Sequence, residues 1–345
     1  MLKKTIRRLG ALAMVLAMAV SVFAVNASAA GEETIPASNI TKMQKELKVY
    51  NGEISEKFNF VATYTGKSPD TTCADPYMTI DGVETTITAG NTNFITINSA
   101  EFEDAKADDT KDAAINLNGS FRGPGTYYFD VTETAGTTAG MTYDNVTKKL
   151  VVQYYSDNSI KYFLVNKTSD TAKDDGVFHN KYEASTLKIH KDVTGLQGDK
   201  GKDFTAHVKF TVPATMTVNS TITYGSNQSI EPTAWVKNEN DNTKEVTVDI
   251  TLHDGTAYDV VFANVPYGVT YTVTEDDYTD VGYDEAAYTN QSGTISAEAT
   301  NVTVTNNKKG TTPGGVIMTI APYALMVVLA GAFAVVFLSR RNRAE

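Results

Sequence analysis

Between its two ends the chain reads in short stretches that alternate apolar and polar residues with period two. Phe58-Asn59-Phe60-Val61-Ala62, Tyr127 to Glu133, Leu150 to Tyr155 and Tyr271 to Glu275 are examples. They are rich in Thr, Val, Tyr and Phe and are broken by Gly, Asn and Asp, which is the signature of β-strands joined by turns. No long amphipathic helix is evident. The pattern predicts an all-β protein of short antiparallel strands stacked as sandwiches. Only the termini break it, each with a long apolar run.

The strand pattern repeats. Gly125-Thr126-Tyr127-Tyr128-Phe129-Asp130-Val131-Thr132-Glu133 in the first half matches Gly268-Val269-Thr270-Tyr271-Thr272-Val273-Thr274-Glu275 in the second. Each half opens with a strand bearing a lysine and closes with one bearing an asparagine. Two tandem β-sandwich domains are therefore expected, at 30–183 and 184–309, with the boundary near Glu183-Ala184-Ser185. In 345 residues, 41% of them hydrophobic, two ordinary cores can be buried.

Within these strands a few polar residues fall in phase with the apolar set. Lys45 shares a face with Met43, Leu47 and Val49, and Lys191 with Leu187, Ile189 and Val193. Glu133 follows Tyr127, Phe129 and Val131, while Glu275 follows Val269, Tyr271 and Val273. Asn180 is in phase with Phe178, and Asn306 with Val302 and Val304. Since side chains alternate between sheet faces, each half points one Lys, one Glu and one Asn inward. Asn307, beside Asn306, falls on the opposite face and ranks second.

Burying a lone ammonium or carboxylate is costly, so such groups pair or neutralise. Burial lowers a lysine pKa and raises a glutamate pKa. A neutral lysine amine is a nucleophile, and a protonated glutamate could donate to the Asn carbonyl and polarise it. The amine would attack the amide carbon, ammonia would leave, and an intramolecular isopeptide bond would remain. Proximity supplies much of the rate, and the reaction runs once per domain without a cofactor. Any one of these residues alone would read as a snorkelling lysine or a turn asparagine. The same three in the same order in two tandem halves is the stronger signal.

The two ends predict export and anchoring. Lys3, Lys4, Arg7 and Arg8 precede the apolar run Leu9 to Val25, and Ala27-Ser28-Ala29 gives a small-residue exit, so 1–29 reads as a secretory signal peptide. The second apolar run, Val316 to Leu338, is long enough to span a bilayer. Arg340, Arg341 and Arg343 follow it, and Thr312, Pro313, Gly314 and Gly315 lie just before it. A Pro/Gly motif, an apolar span and a basic tail make 310–345 a sortase sorting signal with a C-terminal transmembrane helix. Secretion, with covalent attachment at the cell surface or wall peptidoglycan, is the expectation.

The overall formal charge is -11. Four positive charges sit in the signal and a net two in the tail, which leaves about -17 for the segment between them. Such an acidic surface disfavours nucleic acid as a partner. Cys73 is the only cysteine, so no intrachain disulfide can form, and its polar surroundings suggest an idle loop thiol. The four histidines show no metal-ligand clustering, and no Ser/His/Asp arrangement suggests a hydrolase. Neither metal nor cofactor is expected, and no enzymatic activity beyond single-turnover self-cross-linking. Asn-x-Ser/Thr sequons, for example at Asn39 and Asn219, carry little weight in a chain with a sortase sorting signal.

Val273-Thr274-Glu275-Asp276-Asp277-Tyr278 and Met318-Thr319-Ile320-Ala321-Pro322-Tyr323 resemble segments of the streptococcal T-antigen type of major, or backbone, pilin. The resemblance covers the precursor from signal to tail. It implies two tandem immunoglobulin-like (CnaB-like) sandwiches, each with a Lys–Asn isopeptide bond promoted by a Glu. It assigns Lys45–Asn180 with Glu133 and Lys191–Asn306 with Glu275. It further implies a shaft subunit polymerised by a sortase, which joins the cleaved carboxyl end to a lysine of the next copy. Lys173 matches that lysine, with Lys167 and Lys161 as rivals. Minor pilins and host surface ligands are further implied partners. The Gly314-Gly315 pair departs from the family's Thr-Gly at the cleavage point. The alternative on the same domains is a monomeric wall-anchored adhesin or stalk.

Overall fold

A computed structural model describes residues 40–69, 73–166, 174–296 and 299–310, with 323, 325–330 and 332–333. The signal peptide, the motif at 312–315, and Lys167 and Lys173 lie outside the described residues. Of the expected membrane span, only 323, 325–330 and 332–333 are described, and they are helical. Among the described residues no helix is long and apolar enough to cross a membrane.

The body is nearly all β-strand, and the period-two pattern sets its faces. In strand Lys42–Tyr50 every second residue, Met43, Lys45, Leu47 and Val49, is buried. In strand Gly125–Glu133 the buried set includes Tyr127, Phe129, Val131 and Glu133. Two separate apolar cores result. The first gathers Leu47, Phe94, Phe129, Leu150 and Phe178. The second gathers Leu187, Phe204, Phe210, Phe262 and Val304.

In the first unit, strand Phe60–Lys67 pairs antiparallel with Gly125–Glu133, which pairs with Lys148–Tyr154 and, through it, with Ile160–Asn166. Strand Lys42–Tyr50 pairs antiparallel with Asp109–Leu117 and parallel with the first half of Val177–Thr194. The short strand Ile95–Ile97 bonds to both Phe60–Lys67 and Asp109–Leu117, closing the sandwich along one edge. In the second unit, strand Phe204–Pro213 lies between Thr243–Leu252 and Thr270–Glu275. Facing that sheet, the second half of Val177–Thr194 pairs antiparallel with Val260–Pro266 and parallel with Thr300–Asn307.

Domain boundaries usually fall in exposed linkers. Here the expected boundary at Glu183-Ala184-Ser185 lies inside one unbroken 18-residue strand, Val177–Thr194. That strand closes the first unit and opens the second. Side-chain contacts brace the junction. Asn264, in the left-handed region at φ 60°, donates from Nδ2 to the carbonyls of Glu53 (2.8 Å) and Thr221 (3.0 Å). Its Oδ1 accepts from the Glu53 N–H at 3.0 Å and the Tyr182 hydroxyl at 3.2 Å. Gly52 permits this approach, because a Cβ there would sit 2.4 Å from Asn264 Oδ1. Glu56 Oε2 accepts from Thr138 Oγ1 (2.7 Å) and Asn219 Nδ2 (2.9 Å).

Cys73 lies outside the strands, in a loop. Its loop is polar, yet the side chain is buried in the first core. Gly125 makes the room, since a Cβ at that position would lie 2.3 Å from Cys73 Sγ. A period-two reading cannot anticipate burial inside an irregular segment.

Phe129 is fully buried and packs against the rings of Tyr64 and Phe94 at centroid distances of 5.3 and 5.9 Å. Truncating a buried Phe to Ala costs about 3–5 kcal/mol. Phe129→Ala should lower the urea midpoint of the first unit accordingly, read by circular dichroism.

Candidate functional site

Each core holds one buried lysine against one buried glutamate and one buried asparagine. The lysine and asparagine sit on neighbouring parallel strands of one sheet, and the glutamate reaches in from the facing sheet. The register is the same in both units. Lys45 pairs with Phe178 while Leu47 pairs with Asn180. Lys191 pairs with Val304 while Val193 pairs with Asn306. The asparagine is therefore displaced by two residues along the same face, diagonal to the lysine and within reach of its four-carbon stem.

In the first unit, Lys45 Nζ lies 2.7 Å from Glu133 Oε2, and both side chains have 0% exposure. Neither atom makes a well-angled hydrogen bond with any group. Asn180 Nδ2 donates to the other carboxyl oxygen, Glu133 Oε1, at 2.5 Å. Asn180 Oδ1 accepts from the backbone N–H of Asp144 at 2.6 Å. Glu133 thus faces the asparagine amide nitrogen, where the sequence reading had it donate to the carbonyl. A backbone N–H can only donate, so the atom it meets must be the oxygen, and the nitrogen is turned to Glu133.

In the second unit, Lys191 Nζ lies 2.6 Å from Glu275 Oε1, again with both side chains at 0% exposure. Lys191 Nζ also donates to Asn306 Oδ1 in a very short contact. Asn307 points away, donating to Asp284 Oδ2 and accepting from Thr194 Oγ1.

Burial dominates the proton affinities. Desolvation pushes the Lys45 pKa down from 10.5 to about 8, although the adjacent Glu133 carboxylate pulls it up. Desolvation pushes Glu133 up against the opposing pull of Lys45 and Asn180. Lys191 is lowered for the same reason as Lys45. These shifts narrow the gap between the ion pair and the neutral amine–acid pair that nucleophilic attack requires.

The phase argument missed an aromatic floor. Lys45 Nζ lies 4.7 Å from the centre of the Phe58 ring, and Lys191 Nζ lies 4.1 Å from that of Phe204. Phe58 follows Lys45, and Phe204 follows Lys191, by the same thirteen residues. That constant step was a usable signal. A third buried lysine was also legible, because Lys148 is in phase with Leu150 and Val152. It pairs with Asp174 at 2.5 Å and Asp175 at 3.4 Å, and lies 5.1 Å from the Phe178 ring. Its charge partners are these two carboxylates, which makes it a buried ion pair. Of the lysines considered for linkage between copies, only Lys161 is described. It lies on strand Ile160–Asn166 with its Nζ 5.3 Å from the centre of the Tyr155 ring.

An Asn180→Ala chain has no acceptor in the first unit and keeps Lys45 as an amine. Between about pH 8 and 10.5 the folded chain has released the Lys45 proton while the unfolded chain still holds it. The unfolded state binds more protons there, so stability rises with pH. The urea midpoint of Asn180→Ala should therefore rise from about pH 7.5 to about 9.5 relative to Lys45→Met/Asn180→Ala. A constant difference between the two chains would contradict the lowered pKa.

Comparison with known proteins follows the same lines. A family model described as "Domain of unknown function (DUF7601)" matches residues 185–308. A pilin of Streptococcus pyogenes serotype M1 is 28% identical over 263 residues, 69% of this chain and 74% of that protein. Among solved structures, the major pilin from Streptococcus pyogenes is 22% identical, with 78% of this chain and 99% of that chain covered and a TM-score of 0.46. The T-13 major pilin of the same organism is 19% identical, covers 80% of this chain and 100% of its own, and has a TM-score of 0.45. The resemblance read from the sequence motifs is thus shown: along most of its length the chain is similar to a streptococcal pilin.

Proposed function

We propose that this chain is the shaft subunit of a sortase-assembled pilus on a Gram-positive surface, stiffened by two self-formed isopeptide bonds, Lys45–Asn180 and Lys191–Asn306. The observation that carries the reading is the duplicated buried set of one Lys, one Glu and one Asn, in identical strand register. A chance burial of charge would not repeat its register, its facing acid and its aromatic floor. The 28% identity to a streptococcal pilin supports the polymeric role.

Each bond would form between neighbouring parallel strands at the two ends of one unit. Glu133 and Glu275 are the promoting acids. With its carboxyl oxygens turned to the Lys45 amine and the Asn180 amide nitrogen, Glu133 is placed to carry a proton from one to the other. Closing a loop of a hundred or so residues adds roughly 4–5 kcal/mol, by analogy with disulfides. Polymerisation would use a sortase acting on Thr312-Pro313-Gly314-Gly315, with Lys173 as the acceptor in the next copy. At the base of the fibre the same carboxyl end would pass to peptidoglycan.

Two measurements test the reading. The intact mass of the recombinant segment 30–310 should fall below its sequence mass by two ammonia molecules, and an unshifted mass would refute self-cross-linking. Wall extracts boiled in detergent should give a high-mass ladder on immunoblots that collapses in a Lys173→Ala strain. A lone monomer band from unaltered cells would instead favour a wall-anchored stalk.

A further inference from the structure

The first site contains a group that no reading of side chains would select. Asn180 Oδ1 accepts from the Asp144 backbone N–H at 2.6 Å. The loop carrying that N–H is tied down on both sides of Asn180. Asp144 Oδ2 accepts from the N–H of His179 at 2.9 Å, and Asp144 Oδ1 accepts from the N–H of Val146 at 2.9 Å. Just before the loop, Met141 and Thr142 pair with Tyr182 and Lys181 of the shared strand. The donor is therefore fixed before reaction and needs no rearrangement to meet developing charge.

We propose that the Asp144 backbone N–H is the oxyanion donor for the first cross-link, which leaves Glu133 free to act on nitrogen alone. This inference rests on the self-cross-linking reading above. The neutral Lys45 amine attacks Asn180 Cγ, and an Nζ–Cγ bond forms. The carbonyl electron pair moves onto Oδ1, where the Asp144 N–H holds it. Glu133 takes a proton from Nζ at Oε2 and delivers one to Nδ2 from Oε1. The Cγ–Nδ2 bond then breaks and ammonia leaves. One amine and one primary amide become one secondary amide and one ammonia, with no oxidant or co-reactant.

The second site works as an internal control. Among the described residues, the hydrogen bond made to Asn306 Oδ1 comes from Lys191 Nζ, and no backbone N–H serves it. Changes at Asp144 should leave the Lys191–Asn306 reaction at its own rate.

The test uses mature chain made by cell-free synthesis, with each cross-linked peptide quantified by mass spectrometry over time. Asp144→Pro removes the N–H, whereas Asp144→Ala removes only the side-chain anchors. Loss of one oxyanion donor slows a reaction by about 10²–10³-fold. Asp144→Pro should slow the first link by about that factor and spare the second, while Asp144→Ala should slow the first far less. A first link formed by Asp144→Pro at the unaltered rate would overturn the proposal. Should the proline variant fail to fold, the contact can be read by amide NMR in a Lys45→Met chain, which keeps Asn180 unreacted. The Asp144 amide proton should be protected from exchange and lose that protection on adding Asn180→Ala. Unchanged protection would overturn the proposal. An unaltered chain that never loses ammonia at all would defeat the cross-linking reading itself, a distinct result.

Discussion

A lysine amine placed in an apolar core is the constraint around which both units are organised. Lys45 and Lys191 lie essentially out of contact with water, and an uncompensated ammonium there would cost several kcal/mol. Compensation comes from a glutamate on the facing sheet and an asparagine on the next strand. Both must arrive from far along the chain, so the sandwich must close before the amine is satisfied. The parallel pairing of each unit's opening and closing strands meets this need, because its register sets the asparagine diagonal to the lysine on the inward face. The aromatic floor of Phe58 and Phe204 removes solvent from beneath the amine and presents a π-face to it while it remains charged.

Much of this was legible in sequence, because period-two alternation is a geometric rule and the six in-phase polar residues obey it. Strand faces, the two cores and the inward direction of Lys45, Glu133 and Asn180 follow from counting. What could not be counted is what depends on irregular backbone or on orientation. Asp144 sits in a turn with no period, and its contribution is a backbone N–H that every residue but proline carries. Cys73, in a loop, is buried through the missing Cβ of Gly125 on a neighbouring strand. The domain boundary expected near Glu183-Ala184-Ser185 falls within the strand Val177–Thr194. Its alternation in fact runs through that point, with Tyr182 and Ala184 buried before the ladder to Val260–Pro266 shifts register between Ser185 and Leu187.

The two sites also show that an identical residue set need not give identical geometry. At Asn180 the amide is oriented by a backbone donor, so its oxygen is polarised and its nitrogen faces the acid. At Asn306 the oxygen meets the Lys191 amine, and the orientation rests on the lysine itself. An asparagine amide has donor and acceptor ends of nearly equal size, so its neighbours decide which end reacts with what. Sequence repeats report which residues are present and miss that decision.

The shared strand gives the arrangement a mechanical meaning on the proposed reading. Asn180 and Lys191 both lie on it, eleven residues apart. Once both bonds exist, a continuous covalent path runs from Lys45 to Asn180, along this strand to Lys191, and across to Asn306. The segment between the bonds is already extended, at about 3.3 Å per residue or roughly 36 Å, and has almost no slack to release. In a fibre joined through Lys173 the load enters just before Asn180, runs along this strand to Lys191 and crosses to Asn306, so the residues between 191 and 306 are bypassed. Sheet hydrogen bonds, individually worth only about 0.5–1.5 kcal/mol net, then hold shape without bearing tension. Two sandwiches joined by a flexible linker would lengthen under load even with both bonds formed. Fusing the closing strand of one unit with the opening strand of the next removes that extension.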